Sequence, residues 1–515
     1  MFWVDRIAGE IESHFAKASR DKKPLVIRDE KTVSGRVHVG SMRGVAIHGV
    51  VSEALAERGV QNTFTYELND FDVFDTAQEY LPREFEQYIG RLVKDVPSPA
   101  VPSEALAKEG AATNFAEYFG KEFKKVITDT GWTPEFYWGS ELYMSGKMDE
   151  AIRQALENAE AIRRIYKEVS GSQKEEGWLP ISIICERCKK ITTTQAKKFD
   201  GKLVRYSCSC GYEGSVSPFG GNAKLLWKVE WPAKWKVLGV KVEGSGKDHS
   251  TKGGARDVAN HIAKEVFGYE PPFDIPYEFF LVGGKKMSSS RGRGSDAKEI
   301  AELVPPKIFR LALLGKEINQ AFNFDPEGDT IPVLYDQYDK LAENFKVGIK
   351  DDYARLFKFL HPGRDTPAPS SLPRFSQVAF VVQMPHLNLE REFPEANRSE
   401  LEERAAYAKK WLERYAPEKY VFKLQETMPA VQLSEKQKTA LATLADYIES
   451  EKKVSGEQLH HRLHEIKEEQ NIAPAELFGA IYLIFLGKRQ GPQAGWFLGA
   501  LPHAFVLKRL REAVL

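Results

Sequence analysis

A short apolar run, Leu25 to Ile27, leads into RDEKTVSGRVHVGSMRG and then a helical pattern reaching Arg58, with Val45, Ile47, Val51 and Leu55 on its apolar side. A strand, a glycine-bearing loop and a helix N-terminus in that order present backbone N–H groups and a positive dipole end to an anion. The order recurs downstream. VLGVKVEG reads as a strand, SGKDHSTKGG as a glycine-rich loop, and Arg256 to Phe267 as a helix. Thr63 to Glu67 (TFTYE) reads as a further strand, and the acids of the LNDFDVFD that follows suit the ligand crevice past a strand's C-terminal end. Two such units separated by a long insertion predict an α/β fold with a doubly wound parallel sheet and ligands at its C-terminal edge.

A third loop, VGGKKMSSSRGR from Val282 to Arg293, follows a predicted strand YEFFLVGG. Its glycines let a ligand approach the backbone closely. Its hydroxyl and ammonium groups suit a triphosphate, whose oxygens accept charge-assisted hydrogen bonds; a plain solvated loop is the alternative. In the first loop, His38 can donate to a phosphate oxygen, and Gly40, lacking a side chain, lets a flat base pack against the backbone. In the second, Asp248 can hold ribose hydroxyls and His249 can stack on a small substrate. Trp227, Trp231 and Trp235 recur at a spacing of four, the pattern of a helix face with at least one ring in the core.

Cys185, Cys188, Cys208 and Cys210 are the only cysteines, arranged as C-x2-C, nineteen residues, then C-x-C. Pairs of thiolates on either side of a hairpin predict a closed tetrahedral zinc site, with two buried thiol pairs as the alternative. Four sulfur ligands leave no open position, so the expected zinc is structural.

The length of 515 residues allows three or four domains, and Lys plus Arg and Asp plus Glu both total 73, a formal net charge of +0. That argues against a wholesale polyanion binder but not against a local basic face. MFWVDRIAGEIESHF mixes charge into its apolar residues, unlike a signal peptide, and the apolar run Ala480 to Leu486 is too short to span a bilayer. A cytoplasmic protein without a membrane partner is expected. Beyond Val304 the periodicity is almost wholly helical, over 338–360, 400–424, 435–450, 456–469, 475–487 and 496–512, with a proline-rich linker at Pro362, Pro367 and Pro369. Basic residues recur there, among them Lys409, Lys423, Lys488, Arg489, Lys508, Arg509 and Arg511, and together suggest contact with a nucleic-acid backbone.

His38-Val39-Gly40-Ser41 and Lys286-Met287-Ser288-Ser289-Ser290 resemble the two signature sequences of the class I aminoacyl-tRNA synthetases. TVSGRVHVGSMR, LLWKVEWPAKW, EGSGKDHSTKGG and PYEFFLVGGKKMSSS narrow the resemblance to the class I lysyl-tRNA synthetases, through most of the first 340 residues; FLGKRQGPQAGWFLGAL resembles the helical anticodon-binding region shared with glutamyl-tRNA synthetases. Asp29-Glu30 departs from the pattern, since many members carry small residues there. The resemblance implies a Rossmann-like doubly wound sheet of HUP type in two halves, 1–75 and 223–303, an inserted zinc-bearing domain at 76–222, a helical stem-contact region at 304–362 and an all-α anticodon-binding domain at 363–515.

It also implies the reaction, which is activation of L-lysine by ATP, with Mg²⁺, to lysyl-adenylate and transfer to the 3′ end of tRNA(Lys), in a monomer. His38, Gly40, Ser41, Lys286, Ser288, Ser289 and Ser290 are the implied catalytic residues; Lys247, Asp248 and Met287 fall near ATP; Thr32, Trp227, His249 and Tyr277 fall in the lysine pocket. A buried ammonium also needs a carboxylate, for which Asp29, Glu30, Asp70 and Glu230 are candidates, with Asp70 and Glu230 taken as pocket residues. The rival readings are a glutamyl-tRNA synthetase-like enzyme, a synthetase-derived RNA-binding protein without activity, and a small-molecule adenylyltransferase. Glutamate would need a cationic pocket, and an adenylyltransferase would not need the helical tail.

Overall fold

β-Branched and aromatic residues favour extended backbone. They form β1, Leu25–Thr32, and β2, Asn62–Asn69, which pair in parallel from Leu25 opposite Asn62 to Thr32 opposite Asn69. β3, Glu135–Trp138, adds outside β2, and the strand Val240–Val242 adds on the free side of β1, also in parallel. The chain thus winds outward from β1 in one direction and later returns to its other side. The gap between β1 and Val240–Val242 is therefore a topological switch point, where α/β sheets bind ligands at their carboxyl ends.

This computed structural model describes residues 1–16, 23–99, 112–284, 296–362, 372–384, 387–451 and 454–515. They divide into two compact units, Met1–Phe324 with Gly348–Thr366, and Asp325–Val347 with Pro367–Leu515. In the first, helix α1, Trp3–Ala16, packs on helix α2, Met42–Glu57, which crosses from β1 to β2 and is buried on nearly every face. Gly49 permits this close packing, since a Cβ there would lie 2.4 Å from the Trp132 ring.

The insertion carries a three-stranded antiparallel sheet, Thr194–Phe199, Val204–Cys208 and Glu213–Val216, beside an antiparallel pair, Ile181–Ile183 with Ala223–Leu225. Ahead of Gly171 the insertion forms two helices, Asp149–Glu157 and Ala159–Ser170, separated where Asn158 leaves helical backbone at φ −106, ψ 22. Gly171 then caps the second at φ 68, in the left-handed region where glycine meets no Cβ penalty. YEFFLVGG is not one strand. Pro276–Tyr277 pairs with Ser245–Gly246, and Phe280–Val282 pairs with Phe322–Phe324, a strand inside the segment read as helical. Three residues are too few to show a period of two.

The second unit is all helix among its described elements. Thr330–Lys346, Arg398–Arg414, Glu435–Ser450, Gly456–Glu469, Pro474–Leu486 and His503–Val514 are its longer members. Ser434 and Ser455 open two of them with reciprocal capping boxes to Gln437 and Gln458. Leu444, Leu463, Ile481, Phe485, Phe497 and Leu510 form the core. The pattern expected over 400–424 stops at Arg414, ahead of Pro417, which has no amide to continue the ladder. Among the described residues no helix is long and apolar enough to cross a membrane.

Candidate active site

A cavity of about 380 Å³ opens over the carboxyl end of β1, lined by the end of that strand, the His38–Ser41 turn, Trp227 and Trp231, the loop 243–249 and Tyr277 to Phe280. His38 enters the 3-10 turn Val39–Ser41 in extended backbone, and its carbonyl accepts from the Ser41 amide at 3.0 Å. That turn runs directly into α2, so His38, Gly40 and Ser41 stand at the cavity beside a helix N-terminus. Asp296 forms an antiparallel bridge with His38, and the Ala297 amide donates to the Val37 carbonyl at 2.8 Å. Lys286, Met287, Ser288, Ser289 and Ser290 lie outside the described residues. Of their flanks, Phe280 lines the cavity and Asp296 touches the His38 turn.

Asp248 and His249 line the cavity from the second glycine-rich loop. Lys247 stands beside it, mostly exposed, with its ammonium 2.5 Å from the Glu278 carboxylate. The three tryptophans share the helix Trp227–Leu238 but not an environment. Trp235 is fully buried, Trp231 is 8% exposed, and Trp227 is 48% exposed at the cavity, stacked on Trp231 at 6.1 Å and met edge-on by His249 at 5.8 Å. Tyr277 is half-buried, and desolvation followed by the neighbouring Asp29 charge pushes its hydroxyl far above the usual phenol range.

Under the cavity lies a buried charge network that sequence reasoning missed. Arg28, with no exposed surface, donates to Tyr137, to Glu243 and Glu67 at 2.6 Å each, and to Glu30. Lys234 donates to Glu67 at 2.6 Å and lies 3.3 Å from Glu230 and 3.5 Å from Glu30. Lys224 pairs with Glu230 and stands 3.9 Å from Asp72. Glu243 accepts both the Trp231 and Trp235 indole N–H groups, at 3.1 and 2.5 Å. Burial raises the Glu30 carboxyl, but Arg28 and Lys234 outweigh it and hold the group down at about 2. The only sequence-level sign was charge on strand and helix positions that should be apolar, at Arg28, Glu67 and Lys234.

Asp70, Glu230 and Thr32, expected in the lysine pocket, are not among the residues that line this cavity. Asp70 accepts from the Ser140 amide and hydroxyl at 2.7 and 2.6 Å, anchoring the start of the short helix after β3. Glu230 is held by Tyr143 at 2.8 Å and by its two lysines. The Thr32 hydroxyl donates to Asp72 at 2.9 Å.

The four cysteines gather as expected from their spacing. Their sulfurs all lie within 4.8 Å of one another, with Cys185 to Cys210 at 3.8 Å and Cys188 to Cys208 at 3.7 Å. A tetrahedral cage with metal–sulfur bonds of about 2.3 Å has edges of roughly 3.8 Å, so the set can hold a metal ion. In the second unit, Lys409, Lys423, Arg489 and Lys508 are exposed. Arg509 is not available to a partner. It is buried and donates to the carbonyls of Ile484, Gln425 and Glu426.

A parallel sheet with an open, polar cavity at its switch point and a helix N-terminus beneath it is a nucleotide-binding α/β domain. The chain belongs to the class I tRNA synthetases, since the family described as "tRNA synthetases class I (K)" matches residues 1–360, and "Anticodon binding domain" matches 397–514. A lysine–tRNA ligase of Methanosarcina barkeri is 33% identical across 99% of this chain and 97% of its own. That of Thermoplasma acidophilum is 31% identical across 100% and 99%. A solved glutamate tRNA ligase from Elizabethkingia meningosepticum overlays 96% of the chain at 14% identity with a TM-score of 0.44.

Proposed function

We propose that the chain is a lysine–tRNA ligase, joining L-lysine to tRNA(Lys) with ATP cleaved to AMP and pyrophosphate. The carrying observation is the charge balance around the cavity. Asp29, Glu30, Glu67, Asp72, Glu230, Glu243 and Asp248 are seven carboxylates against five cations, Arg28, Lys31, Arg43, Lys224 and Lys234. An uncompensated pair of negative charges in a low-dielectric wall favours a cationic side chain and disfavours glutamate. The exposed Trp227 ring, beside His249, offers a flat face for the methylene stem.

In the first step a lysine carboxylate oxygen attacks the α-phosphorus of ATP and pyrophosphate leaves. In the second, a ribose hydroxyl at the tRNA 3′ end attacks the adenylate's carbonyl carbon and AMP leaves. Neither needs a covalent enzyme intermediate, so the residues position and stabilise charge. His38 and the Gly40 amide bind the α-phosphate, with Ser41 beside them, and Gly40 leaves space for adenine. Asp248 holds ribose, and Lys247 stands near the phosphates. Lys286, with Met287 beside it and Ser288, Ser289 and Ser290 after it, binds the departing pyrophosphate; both flanks of that stretch adjoin the cavity. ATP enters as its Mg²⁺ complex. Asp70, Glu230 and Thr32 act from behind the lysine site, holding the walls.

We assign the four cysteines to a structural Zn²⁺ that ties the inserted segment. Cys208→Ser should abolish stoichiometric zinc in the purified protein, measured by elemental analysis, and an equal zinc content in that variant would refute the assignment. The exposed bases of the helical unit contact the tRNA backbone, in a cytoplasmic enzyme.

ATP–pyrophosphate exchange with each amino acid, with and without tRNA, tests the function. Lysine alone should support exchange; exchange with glutamate would move the chain to the glutamate enzymes. Lys286→Ala should lower exchange by about 10²–10³-fold with the fold intact, and near-normal turnover would refute its role.

A further inference from the structure

The carboxylates that line the cavity are not equivalent. Glu30 is held by Arg28 and Lys234, and Glu243 by Arg28 and two indoles. Asp248 belongs to the loop facing ATP. Asp29 differs from all three. Its Oδ1 accepts the Glu30 amide at 2.8 Å, and among the described residues its one ion-pair neighbour is His48, with Nδ1 3.6 Å from Oδ2.

His48 does not neutralise it. The imidazole is fully buried, its Nδ1 lies 2.8 Å from the Gly44 carbonyl, and the Gly244 amide donates to its Nε2 at 2.7 Å. An amide donating to Nε2 requires that nitrogen to carry no proton, so the proton sits on Nδ1 and the ring is neutral in this arrangement. Asp29 pulls the imidazole toward protonation, but protonation at Nε2 would set two N–H groups against each other. Lys31 lies on the same face of β1 and shares the cavity lining, yet no ion pair joins it to Asp29 within 4.0 Å among the described residues.

The space in front of Asp29 is shaped by a missing side chain. A Cβ built on Gly44, in the first turn of α2, would lie 2.7 Å from Asp29 Oδ2 and 2.9 Å from the Tyr277 hydroxyl. The two oxygens converge on the volume a side chain would fill, and both residues line the cavity. One anionic oxygen and one hydroxyl over a glycine form a cradle for an ammonium group, which needs acceptors and a counter-charge when it leaves water.

We propose that Asp29, with Tyr277 and over Gly44, receives the ε-ammonium of the amino acid substrate and sets specificity for a cationic side chain. This rests on the lysine–tRNA ligase reading and selects one carboxylate within it. Losing one partner of a buried, hydrogen-bonded charge pair costs enough to raise a KM by about thirtyfold or more.

The test is ATP–pyrophosphate exchange, in the presence of tRNA, by the full chain and two variants. Asp29→Asn keeps the side chain's shape and its acceptor for the Glu30 amide. It should raise KM for lysine at least thirtyfold while KM for ATP stays within threefold, and Asp29→Glu should recover part of the loss. Gly44→Ala places a methyl in the cradle and should raise KM for lysine alone in the same way; it carries the test should Asp29→Asn fail to fold. A lysine KM within threefold of wild type in either folded variant overturns the assignment. No lysine-dependent exchange by the wild-type chain would instead overturn the functional reading, and the Asp29 role with it.

Discussion

The two units bury different things. Beneath the cavity, the first unit buries Arg28, Glu67, Lys234 and Glu243 almost completely and satisfies them with one another. The helical unit buries chiefly leucine, isoleucine and phenylalanine; its buried Arg509 is satisfied by backbone carbonyls, and its buried Arg404 pairs with Asp339 at the edge of that core. Burying charge is expensive, and a paired interior often gains nothing over an apolar one. A unit that spends stability in this way does so where charge must be held in place, next to a ligand. The helical unit carries its charges outward on Lys409, Lys423 and Arg489, and draws stability from apolar area.

The largest test of this contrast is Lys234→Met, which leaves Glu67 and Glu230 without that cation. Breaking a buried pair should cost about 3–5 kcal/mol, read by urea denaturation. Adding Glu67→Gln should return part of that loss, because it removes a carboxylate the first change stranded. In the helical unit, Leu463→Ala should cost about 3 kcal/mol. Leu510→Ala added to it should deepen the loss rather than relieve it. Recovery in the helical pair, or further loss in the charged pair, would break the comparison.

A smaller effect separates the units by pH. The Glu30 carboxyl is lowered from 4.5 to about 2. A depressed carboxyl contributes stability that is fully present above about pH 4.5 and lost as pH falls toward about 2. Glu30→Gln should therefore flatten the loss of stability across that window relative to wild type. Equal acid profiles for the two proteins would show that the Arg28 and Lys234 pairings do not bear on folding.

Much of the frame was legible in local pattern. The order of strand, glycine loop and helix pointed to the parallel sheet and to the cavity at its carboxyl edge, and the cysteine spacing pointed to a four-sulfur cluster. The tail read as helices because its periodicity is sustained over ten or more residues. Short elements escaped. Phe322–Phe324 exists as a strand because Phe280–Val282 lies beside it, not because of its own sequence. Spacing places the three tryptophans on one helix face but cannot say where the wall of the cavity cuts that face, which leaves Trp235 buried and Trp227 exposed.

What the sequence determined by itself is the set of chemical groups and their local order. His38 and Gly40 stand before a helix, the lysine and serine run follows a strand, and there are more acids near the pocket than a neutral substrate would need. What only the tertiary structure decided is which acid is left for a ligand. Asp29, Glu30, Asp70 and Glu230 were all candidates along the chain, with Asp70 and Glu230 taken as pocket residues. Packing gave Ser140 to Asp70, two lysines to Glu230, and Arg28 with Lys234 to Glu30, and left Asp29 facing Tyr277 over Gly44. The reason is physical. Coulombic and hydrogen-bond pairing depends on distances of a few ångströms between residues often tens to hundreds of positions apart, such as Arg28 and Glu243. No periodicity in the chain records those distances.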